Sequence, residues 1–567
     1  MKIYIHILFI LFSYLHISAS KYEEKTRELK YTIKKIPFSY EITHSHSLKH
    51  LNKYKNKPPK SYLDKNTILE IEENCIIKSI SLKAIDNNKI YYLLGIFEGS
   101  NDITFSDSTP IGIIKDELHS KRKNYIEINA KASYKYIRYI PPNKHNLGIK
   151  EIKLYGYKKS SKNILQNLNE DNYYQVTNLP LIVINTEEEK EPLLYEDINC
   201  HIKIINSGKL EINEDAKIKV RGHSTSMVST KKPFRIKFAT KKKMFNFKGK
   251  EKKWTLLANY YDRSVLRNTL AFKISELMQF EFTPRCQSVD IIMNSNFRGN
   301  YYLCDKIEIG ENRVNITEMG PDDITEPNIS GGYLLKIDGW AMFSGTNNFQ
   351  TDKGLVGAIE YPEEDEINSE QREYIISQLN KFESEIYNNT LDSIDLNSYS
   401  KFFLIKEFCG DPDHVWSSFY FTKDRNDNLF RFGPAWDFDL GFDNDDRLIP
   451  TNDKTEFCFY CCASAGTTNE FVKTLIGNKN VIVYIRNMWY ELCGNVLTQT
   501  LLLDFIEEQR KYLKESADLN FYRWYSEEET DFGRNDKSFD EAVDVLKSYV
   551  KNRFGSLTML INKAFNN

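Results

Sequence analysis

The sequence predicts an α+β chain of several domains: a β-sandwich first, then a large two-lobed region that opens with strands and closes with helices. Three observations carry this. Short β-type runs recur between Thr67 and Tyr157, with turn residues between them, at the spacing of a sandwich of about 100 residues. Strand patterns continue from Leu181 to Ile307. Beyond the acidic segment Glu363–Glu370 the apolar residues fall at helical spacing instead. Strands followed by helices in one region is the order of an α+β architecture.

The first residues carry an address. Lys2 precedes the apolar run Ile3–Ile17, and Ser18-Ala19-Ser20 supply small residues for cleavage, so residues 1–20 read as a signal peptide. The run is too short to span a bilayer, and no later segment approaches about 18 consecutive apolar residues. A mature chain that is secreted or held at the cell surface is expected, with no transmembrane segment. Residues 21–58, rich in Lys, His, Ser and Tyr and without a period, read as a linker. The 567 residues hold 77 basic and 79 acidic side chains, a net charge of -2. That balance excludes a nucleic-acid polyanion binder and any general attraction to membranes. With 41% hydrophobic and 28% charged residues the chain is ordinary for a globular protein. Abundant Tyr (35) and Phe (34) suit β-rich, aromatic-packed domains.

In chain order, the first strands fall at Cys75–Ala84, Lys89–Glu98, Tyr125–Asn129, Tyr136–Ile140 and Ile149–Tyr155, giving a sandwich over 59–158. Residues 159–178 are polar and read as a second linker, and 179–565 as one large region. Its strands are expected at Leu181–Asn185, Cys200–Asn206, Ala216–Arg221 and Pro233–Phe238. Val265, Leu266, Leu270, Ile274, Leu277 and Met278 recur at helical spacing, so a helix is expected over Ser264–Met278 with Asp262 as its cap. Ser288–Asn294 and Gly299–Ile307 read as a hairpin turning at Ser295–Arg298. Helices follow near 369–389, 397–410, 502–515 and 537–564. No internal repeat is present.

Cysteine usage agrees with a secretory route, which permits disulfides. The count of nine is odd and leaves one thiol outside any intrachain pairing. The cluster Cys458, Cys461, Cys462 resembles half a zinc site, but no matching Cys/His pair follows, so it reads as a disulfide cluster. Asn315, Asn328 and Asn388 head Asn-x-Ser/Thr sequons, acceptors in a host that glycosylates.

Three constellations carry chemistry. Lys217–Val220 leads into Arg221-Gly222-His223-Ser224-Thr225-Ser226, and Lys231-Lys232-Pro233-Phe234-Arg235-Ile236-Lys237 follows. Two strands joined by such a loop offer N–H groups and the Ser224 and Ser226 hydroxyls to phosphate oxygens. A lysine on the second strand adds the charge. The plain alternative is an exposed hairpin with solvated lysines. Arg263 and Arg267, four apart on one helical face, either hold an anion or pair with acids. The third constellation is the most informative. Asp413 lies in a turn after a helix ending at Gly410; an aromatic strand and the strand Leu429–Phe432 follow, then Asp437 and Asp439. Two acids two residues apart share one face of an extended segment, which suits a hard cation that takes oxygen ligands. A loop acid before a hairpin and a metal-binding acid after it is the layout of a protein-kinase catalytic loop and metal loop.

Two resemblances follow from these residues. Phe97-Glu98-Gly99-Ser100-Asn101-Asp102-Ile103-Thr104-Phe105-Ser106, Tyr136–Ile140 and Ile149–Gly156 resemble, in order, the text of discoidin-like (factor 5/8 type C) domains. That implies a galactose-binding-like jelly roll, with glycans or a cell surface as partner, or a structural spacer. Five later blocks resemble the CotH family of secreted, kinase-like proteins: "RG-x-S-x-S…KKPFRIKF", "KW-x-LLANYYDRS-x-LRN", "NSNFRGNYYLCDKIE…NRVNI", "GGYLLKID" and "PAWDFDLGF". This resemblance implies an atypical two-lobed protein-kinase-like fold, ATP with Mg²⁺ or Mn²⁺, and phosphoryl transfer to Ser/Thr of secreted or surface proteins. It assigns Asp413 the catalytic-loop role, Asp437 the primary metal ligand and Asp439 a helper. Lys237 becomes the candidate nucleotide-phosphate lysine, in competition with Lys231, Lys232 and Arg235, with Arg221, Ser224 and Ser226 beside the phosphates. The departures are specific. Ser418 stands five residues past Asp413, where a kinase loop carries Asn as its second metal ligand, and is the weaker candidate ligand there; Asp305 and Lys336 stand where blocks ending in Glu are expected; and no G-x-G-x-x-G loop is present. The alternative reading is a catalytically weak or inactive surface adhesin or scaffold.

Overall fold

A computed structural model describes residues 27–28, 31–35, 67–71, 75–84, 92–119, 123–128, 133–142, 149–158, 173–222, 224–339, 341, 347–414, 416–445, 456–461, 466–526, 529–530 and 532–566. Residues 1–20, expected to be a signal peptide, lie outside them. Two compact units divide the described residues, one drawn from those up to Glu189 with His201–Glu214 and Asp290–Arg298, the other from those within Lys190–Cys200, Asp215–Val289 and from Gly299 onward.

The first unit carries two antiparallel sheets. β1 (Arg27–Glu28), β9 (Ile149–Lys158), β4 (Cys75–Ala84) and β7 (Asn124–Glu127) form one. β2 (Tyr31–Lys35), β3 (Thr67–Ile71), β8 (Tyr136–Ile140), β5 (Ile96–Ser100) and β6 (Thr109–Ile113) form the other. The linker reading of 21–58 gives way at β1 and β2, which pair with β9 and β3; such short pairings leave no period to read. Ile80, Leu82, Ile137, Ile152 and Leu154 alternate inward and bury their side chains. Arg138 reaches Glu98 from Nε at 2.8 Å and lies over the Phe105 ring at 4.3 Å. The Lys203 ammonium donates to the carbonyls of Asp107 and Ser108, both at 2.7 Å.

Seven strands close into a barrel in the order β10 (Leu181–Thr186), β11 (Ile198–Asn206), β12 (Lys209–Val220), β13 (Phe234–Lys242), β14 (Glu251–Leu257), β16 (Asn296–Asp305), β15 (Cys286–Met293). In the second unit β12 pairs with β13 and β13 with β14, all antiparallel, and Ile218, Val220, Phe234, Ile236, Trp254 and Leu256 are buried. The short α1 (Ser224–Met227) fills the β12–β13 loop. α2 (Arg267–Leu277) starts three residues later than expected. Asp262 serves it from a distance: its Oδ2 accepts Arg267 N at 2.9 Å, and its other oxygen pairs with the Arg267 guanidinium and Ser264. The pairing alternative therefore holds for Arg267. Arg263 is likewise committed, donating to the Asp536 carbonyl at 2.7 Å. The hairpin turns one residue earlier than expected, at Asn294 and Ser295, with φ of 48° and 58°.

A five-stranded sheet follows in the order β18 (Asn348–Gln350), β19 (Val356–Tyr361), β17 (Tyr333–Ile337), β20 (Phe419–Lys423), β21 (Phe430–Phe432). The helices of this region are α3 (Ser369–Tyr387), α4 (Leu396–Cys409), α5 (Cys458–Cys461), α6 (Gly466–Gly477), α7 (Lys479–Asn495), α8 (Gln499–Tyr525) and α9 (Phe539–Asn566). α3 opens on a capping box between Asn368 and Gln371. Cys458 is not in a disulfide: its thiol donates to the Asp411 carbonyl at 3.2 Å, while Cys462 lies outside the described residues.

Candidate active site

Asp413, Asp437, Asp439, Ser418 and Arg221 line one cleft of about 360 Å³ in the second unit. One wall is the exit of β12 (Lys219 to Gly222) with Thr225 and the residues after β14, Ala258 and Asn259. The other is β17, the turn after α4, the start of β20 and the segment after β21.

The loop acid is placed by a buried ion pair. Gly410, with φ of 59°, ends α4 in the left-handed conformation that glycine tolerates. The buried Lys406 ammonium reaches Asp411, whose Oδ1 accepts Asp413 N at 3.0 Å. The Asp413 carbonyl then accepts Trp416 N at 3.1 Å and Ser417 N at 3.2 Å, closing a tight turn that presents Asp413 to the cleft. Beneath this turn the buried Glu407 carboxylate accepts Cys458 N at 2.7 Å and Phe459 N at 3.1 Å and meets Arg553 at 3.3 Å. The hairpin β20–β21, with Phe421 opposite Phe432, leads to the acid pair.

Asp437 sits at φ of 71° and Ser418 at 55°, sparsely populated conformations for such residues. Ser418 Oγ donates to Asp437 Oδ2 at 3.2 Å. Between the acids, Phe438 N donates to Asn268 Oδ1 at 2.8 Å, and Asn268 Nδ2 donates to Asn259 Oδ1 at 3.1 Å. Asn268 is thus the amide that holds the Asp437–Asp439 segment. Sequence reasoning missed it, because a side chain that bonds to a distant backbone N–H leaves no spacing pattern.

The electrostatics of the acids are unfavourable as they stand. Asp437 opens to the cleft, but the protein packed behind it limits hydration of its charge and pushes the carboxyl up; Asp411 adds to this, while Arg221 and Lys406 oppose it. Burial raises Asp439 well above the carboxylate range, and Asp437, Asp262, Asp413 and Asp411 push it further.

The cations differ from expectation. Lys237 is exposed: β13 alternates, so Phe234, Ile236 and Phe238 enter the core while Lys237 faces solvent opposite Lys253, away from the cleft. Its competitors are committed. Lys231, fully buried, donates to Asn520 Oδ1 at 2.8 Å and the Ala258 carbonyl at 2.6 Å; Lys232 donates to the Ser226 carbonyl at 2.7 Å; Arg235 grips Asp197 at 2.7 Å. Lys219 takes the cleft position instead, and among the described residues it forms no ion pair. Burial, then the Arg235 charge, hold its ammonium below the usual lysine range. Ser226 turns away, its hydroxyl donating to the Gly222 carbonyl at 2.7 Å, and Thr225 faces the cleft in its place. The Ser224 side chain lies outside the described residues. Lys336 also lines the cleft, held by Asp338 at 2.8 Å and Glu360 at 3.0 Å.

Residues 218–557, more than half of the chain, match the family model for the CotH kinase protein. The chain belongs to the CotH kinase family. Among solved structures, the CBM62 from Clostridium thermocellum Xyl5A is 18% identical over 24% of this chain and 99% of its own length, with a TM-score of 0.19. The comparison with curated proteins returns no match. A kinase family implies a nucleotide and a divalent metal, and the donor set of this CotH-family chain fits them. Among the described residues no three His, Cys, Asp or Glu side chains form a ready-made metal cage. A small hard cation is ordinarily held by one or two carboxylates with phosphate and water oxygens completing the shell. The mutual repulsion of Asp437 and Asp439 is what such a cation relieves.

Proposed function

We propose that this CotH-family chain is a secreted atypical protein kinase that transfers the ATP γ-phosphoryl group to Ser/Thr hydroxyls of secreted or surface proteins. The observation that carries the reading is the meeting of Asp413, Asp437 and Asp439 with Lys219 and Arg221 in one cleft. Mg²⁺ or Mn²⁺ would be held by Asp437 and Asp439, with Ser418 orienting Asp437; bound there, the cation supplies charge neutralisation of the β- and γ-phosphates. Lys219 and Arg221 draw the phosphate oxygens from the opposite wall. The backbone N–H groups and Thr225 at the β12–α1 turn orient them. Asp413 accepts the proton of the acceptor hydroxyl as the O–P bond forms and the bond to the ADP leaving oxygen breaks. Rate comes from positioning and electrostatics, since no covalent enzyme intermediate is needed. The sandwich unit, with its discoidin-like text, would dock the enzyme on glycans.

One observation favours a second reading. Ser418 replaces a stronger metal ligand and is turned towards Asp437, and Lys336 brings a cation where an acid is expected, so a catalytically weak adhesin or scaffold is the rival. Incorporation of label from γ-labelled ATP with Mn²⁺ separates the two, with wild type beside Asp413→Ala and Asp437→Ala. The kinase reading expects label in wild type alone. Equal label in all three, or in none, would favour the rival.

A further inference from the structure

We propose that Cys286 and Cys304 form a site of cross-strand disulfide closure beneath the cleft, made by exchange with a disulfide-bearing oxidant. The two residues belong to neighbouring strands of the barrel, β15 and β16. Gly299, with φ of 87°, allows β16 to bulge after the turn. Past the bulge Asp305 N donates to the Arg285 carbonyl at 3.0 Å and Arg285 N donates to Asp305 Oδ2 at 3.0 Å, which sets those two residues opposite each other. Cys286 and Cys304 are then the next pair along, directly opposite and not hydrogen-bonded through the backbone. Such pairs hold their Cα atoms about 4.5 Å apart, with side chains on one face. That separation falls inside the range a disulfide spans.

The surroundings agree with the register. Cys304 is fully buried among Leu257, Tyr302, Tyr420 and Trp436, and Cys286 packs against the same cluster. The neighbouring Cys286 thiol is close enough to help raise the Cys304 thiol. Both are reduced in this structure. Leu257, Tyr420 and Trp436 also line the cleft, so a bond here would brace its wall.

The chemistry runs in two exchanges. Cys286, the half-exposed member, loses its proton and attacks one sulfur of the oxidant, for example oxidised glutathione, releasing a first thiolate. The Cys304 thiolate then attacks Cys286 Sγ and releases a second thiolate. The pair gives up two electrons and two protons, and the oxidant leaves as two thiols. Burial, with Cys286 alongside, keeps the Cys304 thiol well above its usual range, so the second exchange is the slow one and quickens as pH rises.

The test uses the full chain, incubated folded across a series of oxidised-to-reduced glutathione ratios, quenched with acid, alkylated and digested with trypsin. Cleavage at Arg285, Arg298 and Lys306 places Cys286 and Cys304 in separate peptides, each with a single cysteine. The expected result is a cross-linked pair of these peptides whose yield rises with the oxidising ratio and vanishes on reduction. Cys304→Ser should instead hold glutathione on Cys286. The proposal is overturned if both peptides stay alkylated at every ratio, if wild type stops at the glutathione adduct of Cys286, or if either cysteine links to a different partner. None of these outcomes depends on phosphoryl transfer.

Discussion

Replacing Asn268 with Ala removes a side chain that ties α2 to the acid pair by hydrogen bonding. Asn268 is 3% exposed and makes two hydrogen bonds, accepting from Phe438 N at 2.8 Å and donating to Asn259 Oδ1 at 3.1 Å. The variant leaves Phe438 N buried without a partner, at a cost of about 1–3 kcal/mol, and loses a second bond of about 1 kcal/mol. Alanine returns a few tenths of a kcal/mol through better helix propensity in the first turn. The sum is a loss of about 2–4 kcal/mol, seen as a lower urea midpoint at unchanged slope. Part of that energy fixes Asp437 and Asp439, so Mn²⁺ binding should weaken too. If about 1 kcal/mol reaches the site, affinity for Mn²⁺ with ATP falls about fivefold by calorimetric titration. A variant that is destabilised as calculated but binds Mn²⁺ and ATP like wild type would refute the reasoning. Asn268 would then be a fold residue only.

Lys219→Ala should weaken ATP affinity at least tenfold in the presence of Mn²⁺, whereas Lys237→Ala should leave it unchanged; the opposite pattern would return the phosphate role to Lys237. Asp437→Asn removes a carboxyl whose folded pKa is raised. The wild-type group contributes stability below the unfolded pKa that is lost as pH rises through the folded value, so the metal-free variant should melt above metal-free wild type at neutral pH. Only wild type should gain further on adding Mn²⁺. The Lys336 charge holds the Glu360 carboxyl below its usual range. That contribution is present above the ordinary Glu value and lost as pH falls through the lowered one, so Lys336→Met should be less stable than wild type at neutral pH by an amount that shrinks in acid. A pH-independent gap in urea midpoint would contradict this pairing.

The legible parts of the chain were those where burial writes a period. Cys75–Ala84 and Tyr136–Ile140 alternate because one face packs on a core, and the structure gives those strands the same bounds. The acid-hairpin-acid order of Asp413 to Asp437 was readable because local turns fix it. What failed was choice among equivalent faces. Lys217 and Lys219 on β12 and Arg235 and Lys237 on β13 all fall at the positions between buried residues, and the period alone cannot tell which of Lys219 and Lys237 stands at the cleft. Register decides: Lys219 lies opposite Arg235 near the strand exit, and Lys237 opposite Lys217, two residues further off. Ser226 was misplaced because a hydroxyl in a four-residue helix finds a nearer acceptor in its own turn than any ligand. α6 and α7, over Gly466–Gly477 and Lys479–Asn495, escaped notice although their apolar residues fall on one face; a single Asn478 separates them and caps the second helix.

The central claim is that one cleft holds a divalent cation and ATP together between Asp437 and Lys219. Its most direct test is an electron paramagnetic resonance titration of Mn²⁺ against the full chain with ATP present and absent. The account predicts saturable Mn²⁺ binding that ATP strengthens in wild type, that Asp437→Ala abolishes, and from which Lys219→Ala removes only the strengthening by ATP. Mn²⁺ binding that is equal in wild type and Asp437→Ala, or absent from wild type with ATP, would contradict it.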